Sequence, residues 1–397
     1  MTTRTAFLLL AVCVSGCSPA YVLRAGFEEA KILWRRQPIE RLLQRDDLDA
    51  DTRNKLELAL AVRTFARDSL GLTVNDSYTT FVRVDADQVV HVVTAAYRTR
   101  LEPFTWWFPI VGSVPYKGFF SQRAAETEAA ALERQGYDTY VRPSVAFSTL
   151  GWFADPLLSN LLRYDRATLA DIIIHELLHN TAYFGGHADF DESFANFVGV
   201  RGAMAFFAAR NDTAALRKAA AVWDDSLRFS DFLGGFTARL RHAYGAGVQA
   251  ADRQPLFTEA QEAFRQLGLQ TGLYADFATQ PLNNAVILHY LTYADRLRVF
   301  DDLLQQRQGD LTLTIANILQ AVRADGRDPF GALEQLRAGT RTTPPHGSIA
   351  ASLRMPYLVE TMKTVTAKVS ATTNEPTTVA CCNGESGRSC TRLEKRT

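Results

Sequence analysis

The chain has 397 residues, of which 43 are basic and 43 are acidic, so its formal net charge at pH 7 is zero. This length suffices for one large domain or two ordinary domains whose core needs no disulfide support. The balanced charge, without a long run of one sign, excludes an extended basic surface for nucleic acid or for an anionic membrane.

The first residues have the pattern of an exported lipoprotein. Arg4 precedes an apolar run from Phe7 to Val14, which is too short for a bilayer span of about 20 residues and is typical of a signal peptide. Small residues directly before Cys17 resemble a bacterial lipobox, so we expect residues 1–16 to be removed and Cys17 to carry lipid that tethers the protein to a membrane. Ser18, in place of an inner-membrane aspartate, favours the outer membrane, facing the periplasm. The alternative is an ordinary secretory signal with an incidental cysteine.

The central chain changes from helical to strand patterns and back. Residues 21–70 carry apolar side chains at three- and four-residue spacing, which predicts helices. Residues 78–152 contain β-branched and aromatic runs broken by Pro and Gly, which predict strands around one helix that ends at Gly136. Helical patterns return from about residue 165 to 365. The sequence therefore predicts an α+β fold, with one mixed or antiparallel sheet beside a largely helical body, in a domain of residues 17–365.

The C-terminal residues 366–397 are rich in Thr, Ser, Gly and Asn and poor in large apolar residues, which predicts a disordered tail. This tail contains Cys381, Cys382 and Cys390. Because an exported chain meets an oxidising environment, a local disulfide or free thiols are favoured over a metal-thiolate site.

The stretch "HELLHNTAYFGGHADFDESFANF" begins at His175 and contains a candidate metal site. We predict a helix that is capped near Asp165 and ends at Gly185–Gly186. On that helix His175 and His179 lie one turn apart, so both imidazoles can reach one zinc ion at about 2.0–2.1 Å. Glu176 lies next to them and can act on a metal-bound water as the general base.

A catalytic zinc site needs a third protein ligand and an open position. The downstream candidates are His187, Asp189, Asp191 and Glu192, and "DFDESFANFVGVRGAMAFF" predicts a second helix that carries Glu192 and Asn196 on one face. Glu192 is preferred because a helix positions a ligand better than a glycine-bearing loop does. His187 remains the alternative, either in place of Glu192 or in addition to it, although it lies two residues beyond the third histidine of HExxHxxGxxH enzymes.

Other side chains are candidates for supporting roles. Asp171, one turn before His175, either accepts a hydrogen bond that orients that imidazole or is simply favoured near the start of a helix. Asn196 is a candidate for a similar outer role. A hydroxyl or imidazole donor for the oxyanion is expected from "NNAVILHYLTY", with Tyr293 the preferred residue. The strand "YVRPSVAFSTLG" either exposes an edge to which a peptide adds or lies in the core.

Several long motifs resemble one known family. The motifs are the lipobox and the following sequence blocks: "YVLRAGFEEAKILWRRQPI", "TWWFPIVGSVPYKGFF", "AFSTLGWFADPLLSNLL", "IIIHELLHNTAYFGGHADFDESFANFVG" and "PLNNAVILHYLTYADRLRVFDDLL". Together they resemble, over residues 17–325, the bacterial putative zinc aminopeptidases, which are envelope lipoproteins of the gluzincin type. The resemblance implies a gluzincin-like fold, with His175, His179 and Glu192 as ligands of Zn²⁺ and Glu176 as base. Asp191 stands where the family usually has asparagine, and the cysteine-bearing tail has no family counterpart.

The sequence therefore predicts a zinc-dependent peptidase of the cell envelope, in the form of an aminopeptidase acting on peptide substrates. One alternative is a non-catalytic zinc lipoprotein that acts as a binding or assembly factor and tolerates loss of Glu176. Another is a metal-dependent amide hydrolase of the cell wall. The sequence does not identify an acid for the substrate amine, so exopeptidase and endopeptidase activity both remain open, as does the oligomeric state.

Overall fold

The structure, a computed structural model, describes residues 33–84, 90–108, 112–144 and 154–339. The predicted signal peptide with Cys17, the cysteines of the tail and the predicted domain end at residue 365 all lie outside the described residues. The described chain is α+β, as the sequence predicts. Within it, no helix combines the length and the hydropathy that a bilayer span requires.

The described residues form α-helices and short β-strands. The α-helices are α1 (Ile39–Leu43), α2 (Ala50–Asp68), α3 (Gln122–Arg134), α4 (Arg166–Thr181), α5 (Ala188–Ala208), α6 (Thr213–Gly245), α7 (Gln254–Arg265), α8 (Asn284–Ala294), α9 (Leu297–Gln306), α10 (Leu311–Ala324) and α11 (Pro329–Arg337). The strands are β1 (Gln37–Pro38), β2 (Thr80–Val82), β3 (Val90–Tyr97), β4 (Trp106–Phe108), β5 (Gly112–Val114), β6 (Tyr116–Phe119), β7 (Tyr137–Ser144) and β8 (Leu157–Leu158). Short 3₁₀ turns cover Ser159–Arg163 and Ala275–Ala278.

The strands form separate small sheets among the described residues, so the prediction of one sheet is wrong. β2 pairs antiparallel with β1 and parallel with β8, β3 pairs antiparallel with β6 and β7, and β4 forms a hairpin with β5. Proline explains part of the division, because it cannot donate to a ladder. Pro103 makes only an isolated bridge with Ala96, and Pro115 separates β5 from β6.

The helical pattern predicted over residues 21–70 is also interrupted in its described part. Residues 37–38 form β1, and α1 begins only at Ile39. Pro38 has φ −57° and ψ 129°, an extended conformation that places it before the helix. Because a residue before proline is pushed away from helical geometry, Gln37 cannot continue a helix into Pro38. Further along the same predicted range, α2 forms a continuous helix.

The helices α4 and α5 lie at the centre of the main hydrophobic core. Apolar residues of α4 are buried on nearly all sides, from Leu169 and Ala170 to Leu177 and Leu178. A helix that is apolar all round is a buried helix, so "ADIIIHELL" gives little amphipathic periodicity. A second, smaller core lies between β3 and α3 and includes Val93 and Leu132.

The central helix ends earlier than the sequence predicts. α4 ends at Thr181, and Ala182 is extended with φ −154°, whereas the prediction placed the end at Gly185–Gly186. The cause lies in α5, where both carboxylate oxygens of Asp191 accept hydrogen bonds from the Phe184 N–H at 3.0 and 3.1 Å. This contact draws the chain out of helical geometry and into the connection between the two helices.

A close approach between α4 and α5 depends on Gly199. A Cβ built there would lie 2.4 Å from Asp171 Oδ1, 2.9 Å from Asp171 O and 3.1 Å from His175 Cβ. We expect Gly199→Ala to lower the free energy of unfolding by about 1–3 kcal/mol, because the added methyl overpacks the contact. Denaturant unfolding measures this change.

Gly234 on α6 is the matched control, because nothing lies within 4 Å of a Cβ at that exposed helical position. Gly234→Ala is expected to raise stability by about 0.5–1 kcal/mol, the usual advantage of alanine over glycine in a helix. If Gly199→Ala proved as stabilising as Gly234→Ala, the close approach would not limit the packing of α4 and α5.

Candidate metal centre

Three buried side chains from α4 and α5 bring potential metal ligands together. The Nε2 atoms of His175 and His179 are 3.3 Å apart, and Glu192 Oε2 lies 3.2 Å from the first and 3.5 Å from the second. A tetrahedral zinc ion with bonds of about 2.0–2.2 Å would place its ligand atoms about 3.3–3.6 Å apart. The residues therefore fit a zinc ion, and among the described residues they form the metal-capable group.

Electrostatics in this group favour a positive charge. Burial lowers the pKa of His179, but the Glu192 carboxylate outweighs burial and raises that pKa to about 9. Burial likewise raises the pKa of Glu192, and the two imidazoles outweigh it and lower that pKa to about 2. The carboxylate and the two imidazoles are buried away from water, so a cation between them is stabilised.

The connection between the helices positions the third ligand. Asp165 caps α4 by accepting from the Thr168 N–H at 3.1 Å. At the other end, Asp191 holds the connection through Phe184, and the next residue, Glu192, points at the histidines. His187 stands at the N-cap of α5, half-buried and outside the metal-capable group. The structure therefore brings Glu192, and not His187, to the two histidines.

Glu176 lies on α4 beside the ligands and is only 2 % exposed. Its charge acts on Tyr78, because burial, together with the carboxylates of Glu176 and Asp155, raises the pKa of that tyrosine well above its usual value. Tyr78 has φ 61°, a conformation that non-glycine residues rarely adopt, and its N–H donates to the Asp155 carbonyl at 2.7 Å. Nothing in the sequence around "NDSYTT" marks this residue, so sequence reasoning missed it.

The predicted supporting residues occupy different places. Asp171 is buried against α5 at the Gly199 contact, one turn before His175. Asn196 donates from Nδ2 to the carbonyl oxygen of Tyr293 at 3.0 Å, so its hydrogen bond joins α5 to α8. The Tyr293 ring packs edge-on against His289, with 5.7 Å between ring centroids. The predicted donor helix α8 thus lies directly beside the helix that carries Glu192.

The strand that precedes the metal helices is an edge strand within the described residues. β7 pairs with β3 on one side, and the Thr139 carbonyl on its other side accepts from Asn283 Nδ2 at 3.0 Å. Asn283 also caps α8 by accepting from the Val286 N–H. One side chain therefore both caps α8 and fastens it to the edge of the sheet.

Comparison with known proteins gives one match. The model of a family described as "Putative aminopeptidase" matches residues 20–327. No curated protein and no solved structure matches significantly. The matched range covers both helices of the metal-capable group, the edge strand β7 and helix α8.

Proposed function

The chain belongs to the family of putative aminopeptidases, and on this premise we propose that it is a zinc-dependent peptidase with its active site at α4 and α5. The observation that carries the proposal is the buried triangle of His175, His179 and Glu192, whose ligand atoms have tetrahedral spacing. Three protein ligands are the number that a catalytic zinc site uses when it keeps a position open.

Each ligand residue has a defined task in this proposal. His175 and His179 present neutral imidazole nitrogens, and Glu192 adds one carboxylate oxygen that offsets the charge of the metal. When bound, zinc supplies a Lewis acid that activates water near neutral pH and polarises the carbonyl of the scissile bond. The walls of α4 and α5 exclude bulk water, which strengthens every electrostatic interaction at the site.

Glu176 moves the proton. Its carboxylate takes one proton from the attacking water as the new C–O bond forms at the peptide carbonyl carbon. It then gives that proton to the leaving nitrogen as the C–N bond breaks, so the sum is the addition of one water to one peptide bond. Tyr78 keeps its phenolic proton, because burial and the Glu176 carboxylate raise its pKa, and it is one candidate hydroxyl donor; Tyr293 remains the predicted donor from α8.

The edge strand β7 supports the binding of an extended peptide. An exposed strand edge supplies main-chain hydrogen bonds to a peptide that adds beside it. At Thr139 this edge is already occupied by Asn283, so the later part of β7, from Val141 onward, is the part we assign to the substrate. The sequence order places this part directly before the connection to the metal helices.

A peptide-library digest tests the proposal. We expect the zinc-loaded protein to cleave peptides, a chelator to abolish cleavage, and added zinc to restore it. Stepwise loss of N-terminal residues, blocked by N-acetylation, would identify an aminopeptidase, whereas internal cuts would identify an endopeptidase. Zinc retention without any cleavage would contradict the proposal and favour the non-catalytic binding or assembly role.

A further inference from the structure

Two buried charged side chains on β7, Asp138 and Arg142, differ in their hydrogen-bond partners. Asp138, Tyr140 and Arg142 alternate along the strand and therefore share one face. Asp138 is fully partnered, since Arg253 donates to both of its oxygens at 2.6 Å and the Asn284 N–H donates at 3.0 Å. A buried carboxylate of structural importance is thus matched by a bidentate arginine and a backbone donor.

Arg142 has no such match. Its side chain belongs to a residue that is only 5 % exposed, and its Nε and Nη1 atoms are buried without a hydrogen-bond partner in the described chain. Burying N–H groups of a charged side chain without acceptors is expensive, so native proteins rarely leave guanidinium nitrogens in this state. Such an exception is expected where a ligand completes the interactions.

The position of Arg142 relates it to the active site. Val141 packs into the small core on the other face of the strand, whereas Tyr140 packs against the main core and against His289, with 5.4 Å between rings. Arg142 therefore faces α8, and its charge, after burial, helps to lower the pKa of His289.

From His289 the contacts continue towards the metal-capable group. His289 contacts Tyr293, the Tyr293 carbonyl accepts from Asn196, and Asn196 lies one turn after Glu192 on α5. Arg142 thus lies on the face of β7 that packs against α8, and α8 in turn packs against the helix that carries Glu192.

We propose that the guanidinium of Arg142 binds a carboxylate of the peptide substrate. A planar guanidinium matches a carboxylate through two parallel hydrogen bonds, donated either by Nε and Nη2 or by Nη1 and Nη2, so each of the two buried atoms without a partner belongs to one such fork. The carboxylate belongs either to the C-terminus of a short peptide or to an acidic side chain. This inference rests on the proposed function only in taking the ligand to be a peptide.

Binding is measured separately from turnover. Zinc-loaded protein with Glu176→Gln is titrated calorimetrically with tetra-alanine as the free acid, with tetra-alanine amide, and with Ala-Ala-Glu-Ala amide. We expect one of the two carboxylate peptides to bind at least about tenfold more tightly than the neutral amide, which is the effect of one charge-assisted hydrogen bond. A preference for the free acid identifies a C-terminal carboxylate, and a preference for the glutamate peptide identifies a side chain.

Substitutions then assign the preference to Arg142. Arg142→Met is expected to abolish the preference for a carboxylate peptide and to leave binding of the neutral amide unchanged. Arg142→Lys keeps the positive charge but loses the planar fork, so it is expected to retain part of that preference. Arg134→Met, at an exposed position on α3, removes the same charge and is expected to keep the full preference. Equal binding of all three peptides to the protein with Arg142 intact would overturn the inference.

The thermal stability of the Arg142→Met protein distinguishes a binding role of Arg142 from a structural role. Because Arg142→Met removes buried N–H groups that have no acceptor, Tm is expected to stay the same or to rise. A lower Tm with an unchanged peptide preference would make Arg142 a structural residue. The titration measures binding and needs no cleavage. If the wild type cleaved no peptide in the library digest, the peptidase proposal would be overturned, but carboxylate binding by Arg142 would still be decided by the titration.

Discussion

Glu176→Gln is expected to retain zinc and to reduce the kcat of peptide hydrolysis by roughly 10²–10⁴-fold, the usual contribution of a general acid–base group. Glutamine has the same shape as glutamate but cannot take a proton from water at neutral pH. Glu176 lies outside the triangle formed by the ligand atoms, so the metal contacts are left intact. Steady-state kinetics on a peptide identified in the digest, together with metal analysis of the same preparation, measure both effects.

The matched control is Glu259→Gln on α7, where an exposed glutamate loses the same charge. Its activity is expected to equal that of the wild type. Activity in Glu176→Gln close to that of Glu259→Gln would remove Glu176 from the proton transfer. Loss of zinc in Glu176→Gln would instead place Glu176 among the residues that hold the metal.

Glu192→Gln is expected to weaken zinc binding by more than roughly 100-fold, which is the upper end for loss of an outer-shell partner of a metal ligand. Glu192 supplies the only negative charge in the triangle, at 3.2 and 3.5 Å from the two imidazole nitrogens. A neutral amide is a poor zinc ligand and does not offset the charge of the ion in a buried place. Competition with a chelator of known affinity measures the change.

Two variants close to Glu192 sharpen this test. Asp189→Asn removes one negative charge from an exposed position on the same helix, and His187→Ala removes the alternative ligand. Both proteins are expected to bind zinc as the wild type does. If His187→Ala lost zinc while Glu192→Gln retained it, the ligand assignment would be reversed.

The grouping of the three candidate ligands is predictable from the sequence because they are close together in the chain. A helix fixes the relation of His175 to His179, and the next helix carries Glu192 after a short connection. Burial of α4 on all sides hides the amphipathic pattern but not the spacing of the histidines. The sequence places the end of α4 too late, because the hydrogen bonds from the Phe184 N–H to Asp191 are tertiary contacts.

The rest of the site depends on parts of the chain that meet only in the fold. Tyr78 has a left-handed backbone conformation that its sequence neighbours do not indicate, and the effect of the Glu176 charge on its pKa is seen only in the fold. In the sequence Gly199 is an ordinary helical residue, and its close contact with Asp171 is visible only in the fold. Arg142 is one basic residue among many, and the absence of a partner is visible only from three-dimensional contacts among the described residues. The division of the strands into small sheets has the same origin, since pairing partners are chosen by packing.

The separation of partners along the chain has a consequence for the order of folding. His175 and Glu192 are only 17 residues apart, so bringing them together closes a short loop and loses little chain entropy. Thr139 and Asn283, which fasten β7 to α8, are 144 residues apart, and Asp138 and Arg253 are 115 residues apart. Contacts of long range form late in folding. We therefore expect the α4–α5 hairpin, with its candidate metal ligands, to form before β7 and α8 pack together.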